Sequence, residues 1–296
     1  MCGAPPPAGQ YGLVETPRLV ASDVDGTLLG PDHRVSARTA GVVAGVRAAG
    51  VPFVLATGRP PRWVTDVAAQ AGATGYAVCA NGAVLYDVGA DRVLWRRELD
   101  PVLLGDLADA LGRALPGCAV AAERVGDSVA DPAVAPFVAE PAYRHAWPGS
   151  DHSELSRAEV LGVPAVKLLV RHAGMTSVQL AEAAEAVFGE EVCVTYSSNA
   201  GLIEVSAAGV TKADGLADVA ERLAVEPSAV VAFGDMPNDI AMLGWAGHGV
   251  AMANAHPDVL EVADEVTAPN SEDGVARLLE RWFPLPNGAA AHPPAP

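Results

Sequence analysis

The chain has 296 residues, half of them hydrophobic and 19% charged, enough apolar material for a large core and a length that fits two domains. Thirty-six acidic against 19 basic side chains give a formal net charge of −17. That balance argues against a surface that coats nucleic acid or anionic lipid, which needs clustered cations. A small anionic substrate meets only its local pocket and is not excluded.

Residues 1–17 are rich in Pro and Gly and lack the basic and apolar regions of a secretory signal, so they read as a loose tail. Arg18–Val24 is a short apolar run that predicts a buried strand. Ser36 caps a helix that runs through Ala49 and stops at Gly50. Val51–Ala56 predicts a second strand, Pro61–Ala71 a helix with Pro at its start and Gly72 past its end, and Tyr76–Ala80 a third strand.

From about Asp87 to Ser206 the pattern changes. Arg92–Arg97, Val166–Arg171 and Val192–Tyr196 are charged strand-like stretches, and Pro101–Ala114 and Met175–Phe188 are helical, with Thr176 and Gln179 at capping-box spacing. Residues 123–160 read as irregular. Beyond them the alternation resumes: helix Lys212–Leu223, strand Ala229–Phe233, helix Pro237–Leu243, strands Gly249–Met252 and Glu265–Thr267, and a closing amphipathic helix Asp273–Phe283. A second Pro-rich tail covers 284–296. The expected fold class is α/β. A three-layer, Rossmann-like parallel sheet forms the core (18–86 and 207–283), and an inserted α+β cap spans 87–206.

Cys2, Cys79, Cys118 and Cys193 show no metal-ligand spacing and read as separate reduced thiols. The longest uncharged stretch, from near Ile240 to Pro257, is broken by glycines and suits buried turns better than a membrane span. The expectation is a soluble, cytoplasmic protein, monomeric or weakly dimeric, with no nucleic-acid or membrane partner.

Four segments carry chemistry. Ser22-Asp23-Val24-Asp25-Gly26-Thr27 directly follows the first strand, at the carboxyl edge where open parallel sheets bind ligands. Ala56-Thr57-Gly58-Arg59 ends the second strand, with a hydroxyl and a Gly N–H. Lys212 opens a helix, and Gly234-Asp235-Met236-Pro237-Asn238-Asp239 ends a later strand. Taken singly these are a turn, a helix cap, a solvated lysine and a capping turn; their joint order makes that reading poor. Asp23, Asp25, Asp235 and Asp239 then converge, and like charges about 4 Å apart repel by on the order of 4 kcal/mol at an effective dielectric near 20. The cluster calls for a cation, and all-oxygen donors suit Mg²⁺. Four carboxylates against a divalent ion and Lys212 leave about one negative charge, which a proton on Asp25 would remove, making it a ready general acid.

DVDGTLL, ATGR, the Lys212 segment and GDMPNDIAML together resemble the four motifs of the haloacid dehalogenase-like phosphohydrolases. Asn81-Gly82-Ala83 and Gly209-Val210-Thr211-Lys212 resemble segments of the Cof-type subfamily, whose cap lies between the second and third motifs. The resemblance spans about 18–283. It implies a phosphoric monoester hydrolase: Asp23 as nucleophile forming an aspartyl-phosphate, and Asp25 as acid and then base. Mg²⁺ would be held by Asp23, the carbonyl of Asp25, and Asp235. Val24, Thr57, Gly58, Lys212 and Asn238 would hold the phosphoryl group, and Asp239 would brace the metal shell. The acid at Asp25 separates phosphatases and phosphomutases from ion-pumping ATPases, which have Thr there. One departure is Ala213, where the subfamily usually has Gly.

The implied substrate is a small phosphomonoester, such as a sugar phosphate, with flavin mononucleotide or pyridoxal phosphate as further options. A phosphomutase and a non-catalytic phosphosugar-binding module are the rival readings. Arg59 reads as ordering its loop, Glu204 as a strand residue and Ser206 as a turn residue near the cap hinge. His33 reads as a loop residue and His248 as a turn residue, while Trp63 and Trp245 read as packing.

Overall fold

A computed structural model describes residues 15–144 and 153–285. The expected loose ends at 1–17 and 284–296, and Cys2, lie mostly or wholly outside the described residues. Strands β1 (Leu19–Ser22), β2 (Phe53–Ala56) and β3 (Tyr76–Cys79) run parallel, connected by α1 (Ala37–Ala48) and α2 (Thr65–Ala71). Both helices follow their sequence signals. The Ser36 side chain accepts from Thr39 N–H at the start of α1, and Gly72 ends α2 with φ +67°. The chain then doubles back through β4 (Val84–Asp87) and β5 (Arg92–Arg96), both antiparallel to their neighbours.

A second sheet follows: α3 (Pro101–Ala114), β6 (Ala119–Glu123), β7 (Phe137–Ala139), β8 (Ser153–Glu154), α4 (Arg157–Leu161), β9 (Lys167–Arg171), α5 (Ser177–Phe188), β10 (Val192–Thr195) and β11 (Leu202–Ala207). Its strand order is β10-β11-β9-β6-β7-β8. The chain returns to the first sheet with α6 (Lys212–Arg222), β12 (Val230–Gly234), α7 (Ile240–Trp245), β13 (His248–Met252), α8 (Pro257–Val262), β14 (Glu265–Thr267) and α9 (Gly274–Leu279). That sheet has the order β14-β13-β12-β1-β2-β3-β4-β5.

The central strands β1, β2 and β12 are buried along their whole length, the signature of a sheet covered on both faces. One face packs Val20, Leu55 and Phe233 with Val43 of α1 and Leu278 of α9. The other packs Leu19, Ala21 and Val54 with Leu216 of α6 and Met242 of α7. The second sheet is covered on one side by Leu104, Leu111 and Leu180 of its helices.

The structure corrects the sequence reading in several places. The first sheet is mixed, because β4 runs against the rest, antiparallel to both β3 and β5. Arg92–Arg97, grouped by sequence with the insert, supplies β5 at the edge of the first sheet. Its exposed Arg92 and Arg96 are the charges an unpaired edge tolerates, and they made the segment look foreign to the core. Residues 123–160, read as irregular, hold β7, β8 and the short α4, capped reciprocally by Ser156 and Glu159. The final helix stops at Leu279, and its Asp273 cap sits at φ +58°.

Candidate active site

Parallel pairing assembles the site. Ser22 lies opposite Phe233 on one side and Leu55 on the other, so the segments that follow β1, β12 and β2 emerge together. The Asp23 N–H donates to Phe233 O at 2.9 Å, which sets Asp23 beside Gly234-Asp235. Buried Val24 opens a single wide turn closed by Leu29 N–H to Val24 O at 2.9 Å. Gly26 turns the chain at φ +81°, and a Cβ there would fall 2.3 Å from Asp235 Oδ2, so only glycine fits. Thr27 Oγ1 donates to Asp235 Oδ1 at 2.7 Å. Asn254 and Asn270 pin the same loop from α8 and α9's approach, donating to Gly26 O at 2.9 Å and Leu29 O at 2.8 Å.

Lys212 enters from the first turn of α6, whose Thr211 cap and Asp214 bond reciprocally. Ala213 continues that turn, where Ala is a better helix former than Gly. Lys212 Nζ donates to Asp23 Oδ1 at 2.5 Å and to Asp239 Oδ1 at 2.6 Å. The other Asp239 oxygen accepts the N–H groups of Asp235 and Met236, at 2.9 and 3.0 Å. Asp239 is therefore consumed on both oxygens as a brace, while Asp23 and Asp235 each keep one oxygen free of these bonds.

Burial pushes the Asp23 carboxyl well above its ordinary range; Lys212 pulls it back, and Asp239, Asp235 and Asp25 push it further up. Burial likewise lifts Asp235 to about 7, against the Thr27 hydrogen bond. Burial alone would lower Lys212, but the charges of Asp23 and Asp239 outweigh it and hold the ammonium above its usual value. Oxygens of Asp23, Asp235 and Asp239 lie within 4.8 Å of one another, which fits a small hard cation.

Asp25 is the accessible acid, with its side chain 48% exposed. Arg59 clasps it in a two-toothed pair, Nε to Oδ2 at 2.7 Å and Nη2 to Oδ1 at 2.5 Å. The sequence-level charge count left out Arg59, whose guanidinium adds one positive charge beside Asp25.

Asp23, Asp25, Thr57, Gly58 and Asn238 line one wall of a cavity of about 490 Å³. Lys212, Asp235 and Asp239 stand behind Asp23, outside that wall. Asn238 differs from expectation in its chemistry: its Nδ2 donates to Asn81 Oδ1 at 3.0 Å, and its buried Oδ1 has no partner among the described residues. Asn81 itself was quoted only as part of a motif. It sits at φ +58° between Ala80 (φ +52°) and Gly82 (φ +100°), a run of left-handed residues that non-glycine side chains enter at a cost. Its N–H donates to Thr57 O at 3.0 Å and its Nδ2 to Glu204 Oε2 at 2.5 Å.

The second sheet closes the cavity with Glu123, Phe137, Lys167, Leu169 and Glu204. Glu204, read as a plain strand residue, is thus a wall residue; Ser206, two positions on, is buried away from the cavity. Ser206 also lies within β11 and not in a turn. His33 and Trp63 also reach the cavity. His248 begins β13 and bonds Glu265 at 3.1 Å, and Trp245 ends α7 and packs against the core on that face of the sheet. Lys167 and Glu123 gave no motif; the only trace was charge at the ends of otherwise apolar strands.

A model of the haloacid dehalogenase-like hydrolases matches residues 20–279. A 5-amino-6-(5-phospho-D-ribitylamino)uracil phosphatase, YcsE of Bacillus subtilis, is 30% identical over 271 residues, covering 90% of this chain and 95% of its own. Among solved structures, a haloacid dehalogenase-like hydrolase from B. subtilis superposes with a TM-score of 0.75 at 23% identity, over 90% of this chain and 99% of that one. The subclass IIB sugar phosphatase BT4131 gives 0.74 at 21% identity, over 90% and 98%. The chain belongs to the haloacid dehalogenase-like hydrolases. Within them it is a phosphatase of the Cof type. Among the described residues no helix is long and apolar enough to cross a membrane.

Proposed function

We propose that the protein is a Mg²⁺-dependent phosphatase of small phosphorylated metabolites that works through an aspartyl-phosphate. The observation that carries this reading is the setting of Asp23: buried, held on one oxygen by Lys212, and facing the same cavity as the acid candidate Asp25. Asp23 and Asp235, with the Asp25 carbonyl, would hold the ion, which when bound supplies positive charge to the phosphoryl oxygens. The free Asp23 oxygen bonds phosphorus as the ester P–O bond breaks. Asp25, released from Arg59 and in its protonated form, gives that proton to the departing alkoxide. It then takes a proton from the water that attacks phosphorus, and phosphate departs as Asp23 is regenerated. Thr57 and backbone N–H groups at Val24 and Gly58 support the phosphoryl oxygens, where developing charge is best met by fixed donors, while Lys212 holds Asp23 from behind. The second sheet acts as the cap, its wall over the cavity excluding water.

The named substrate of the B. subtilis relative, a phosphorylated ribityl compound, supports a phosphorylated polyol or sugar derivative here as well. The test is phosphate release from a panel of phosphomonoesters with Mg²⁺ and with chelator, wild type beside Asp23→Asn. Release that depends on Mg²⁺ and vanishes in Asp23→Asn is expected; release that survives the substitution overturns the reading.

A further inference from the structure

Three charged side chains stand on the cavity face of the second sheet. Lys167 begins β9 and lies opposite Glu123 at the end of β6, and Glu204 lies opposite Leu169 on β11. All three are at least nine-tenths buried. Glu123 is paired on both oxygens with a single partner, the Arg62 guanidinium, Nη2 to Oε2 at 3.0 Å with a second bond beside it. Lys167 and Glu204 are not saturated. Lys167 Nζ reaches Gly58 O at 2.6 Å and Glu204 Oε1 at 3.0 Å, and its third N–H has no protein partner among the described residues. Glu204 accepts one bond on each oxygen, from Lys167 and from Asn81, which leaves lone pairs on both.

A buried ion pair is a poor stabiliser compared with apolar packing of equal volume. The opposite face of this sheet is apolar, so the fold does not need charge here. The pair also touches the loop that ends β2, since Gly58 belongs to the segment beside Asp23. A group bound there lies close to the ester.

We propose that Lys167 and Glu204 recognise a hydroxyl on the leaving alcohol near the phosphoester, which accepts from the spare Lys167 N–H and donates to a spare Glu204 lone pair. The preferred substrates are then phosphomonoesters of polyhydroxylated alcohols, whose remainder lies on Phe137 and Leu169. This deepens the phosphatase reading and rests on it. Both polar groups are exposed to penalty when the hydroxyl is absent, because a site built to bond a hydroxyl rejects the analogue that lacks it.

The matched probes are D-ribitol 5-phosphate and n-pentyl phosphate, alike in chain length and different in hydroxyls. Wild type is expected to favour the ribityl ester by more than about tenfold in kcat/KM. Lys167→Met and the more conservative Glu204→Gln are expected to compress that ratio toward one, mainly through KM, with folding checked by circular dichroism. A wild type that does not discriminate, or folded variants that keep the wild-type ratio, overturns the proposal. Calorimetric binding of both esters to Asp23→Asn separates the two readings. If the phosphatase reading fails on the full panel, the recognition pair still stands or falls on whether Asp23→Asn prefers the ribityl ester and loses that preference with Glu204→Gln.

Discussion

Lys212 reaches Asp239 at 2.6 Å with neither side chain exposed to solvent. The same ammonium holds Asp23, so one cation serves two buried carboxylates. Removing it leaves uncompensated charge in the interior. Lys212→Met should lower stability by on the order of 3 kcal/mol and abolish phosphate release, and adding Asp239→Asn should return part of the stability and none of the activity. Chemical denaturation of both variants checks this.

Asp235, lifted to about 7 by burial, binds a proton in the folded state that it would release when unfolded. Its folded value stands above its unfolded one. Its contribution to stability is therefore full in acid and lost as the pH rises through about 7, with Asp23 shifted in the same direction. Without metal, the Tm should fall from about pH 5 to about pH 8, and the Tm gain from added Mg²⁺ should grow over the same interval as the proton stops competing. In Asp235→Asn both trends should flatten. A gain from Mg²⁺ that is equal across the range contradicts the assignment of Asp235 as a ligand.

Arg59 docks Asp25 on both oxygens. Arg59→Met should misplace that acid, and the damage should depend on the leaving group. An alkyl phosphate, whose alkoxide needs a proton, should lose about tenfold more kcat than p-nitrophenyl phosphate, whose phenolate leaves unaided. Equal losses on both esters would mean that Arg59 only shapes the loop.

Gly82 packs against the chain ahead of α6, where a Cβ would fall 1.9 Å from Thr211 O, and its φ of +100° is closed to other residues. Gly82→Ala should destabilise the protein by more than about 2 kcal/mol and shift Lys212 with its helix. Thermal unfolding and phosphate release should fall together.

The strands that carry the site were legible because each is a short apolar run ending in Asp, Thr or Gly, and parallel neighbours bring such ends to one edge. Lys212 was legible from its resemblance and its helix start. What sequence could not show is pairing across distance. Arg59 meets Asp25 from the neighbouring strand's loop, Asn81 meets Glu204 from the other sheet, and Lys167 and Glu204 meet only because β9 and β11 are adjacent. β5 was misplaced because an edge strand's polar pattern resembles that of an independent module.

The chain departs from the first sheet after β5 and comes back just before α6, and these two crossings lie side by side. Arg97 donates to Gly209 O at 3.3 Å, and Gly82 lies against Thr211. Because both seams meet at one spot, exchanging the intervening hundred or so residues for those of a relative would cut the chain at a single place, and the exchange should leave Asp23, Asp25 and Asp235 on the strand ends that carry them. Chimaeras grafted at Arg97 and Gly209 would exchange substrate preference while inheriting the same chemistry.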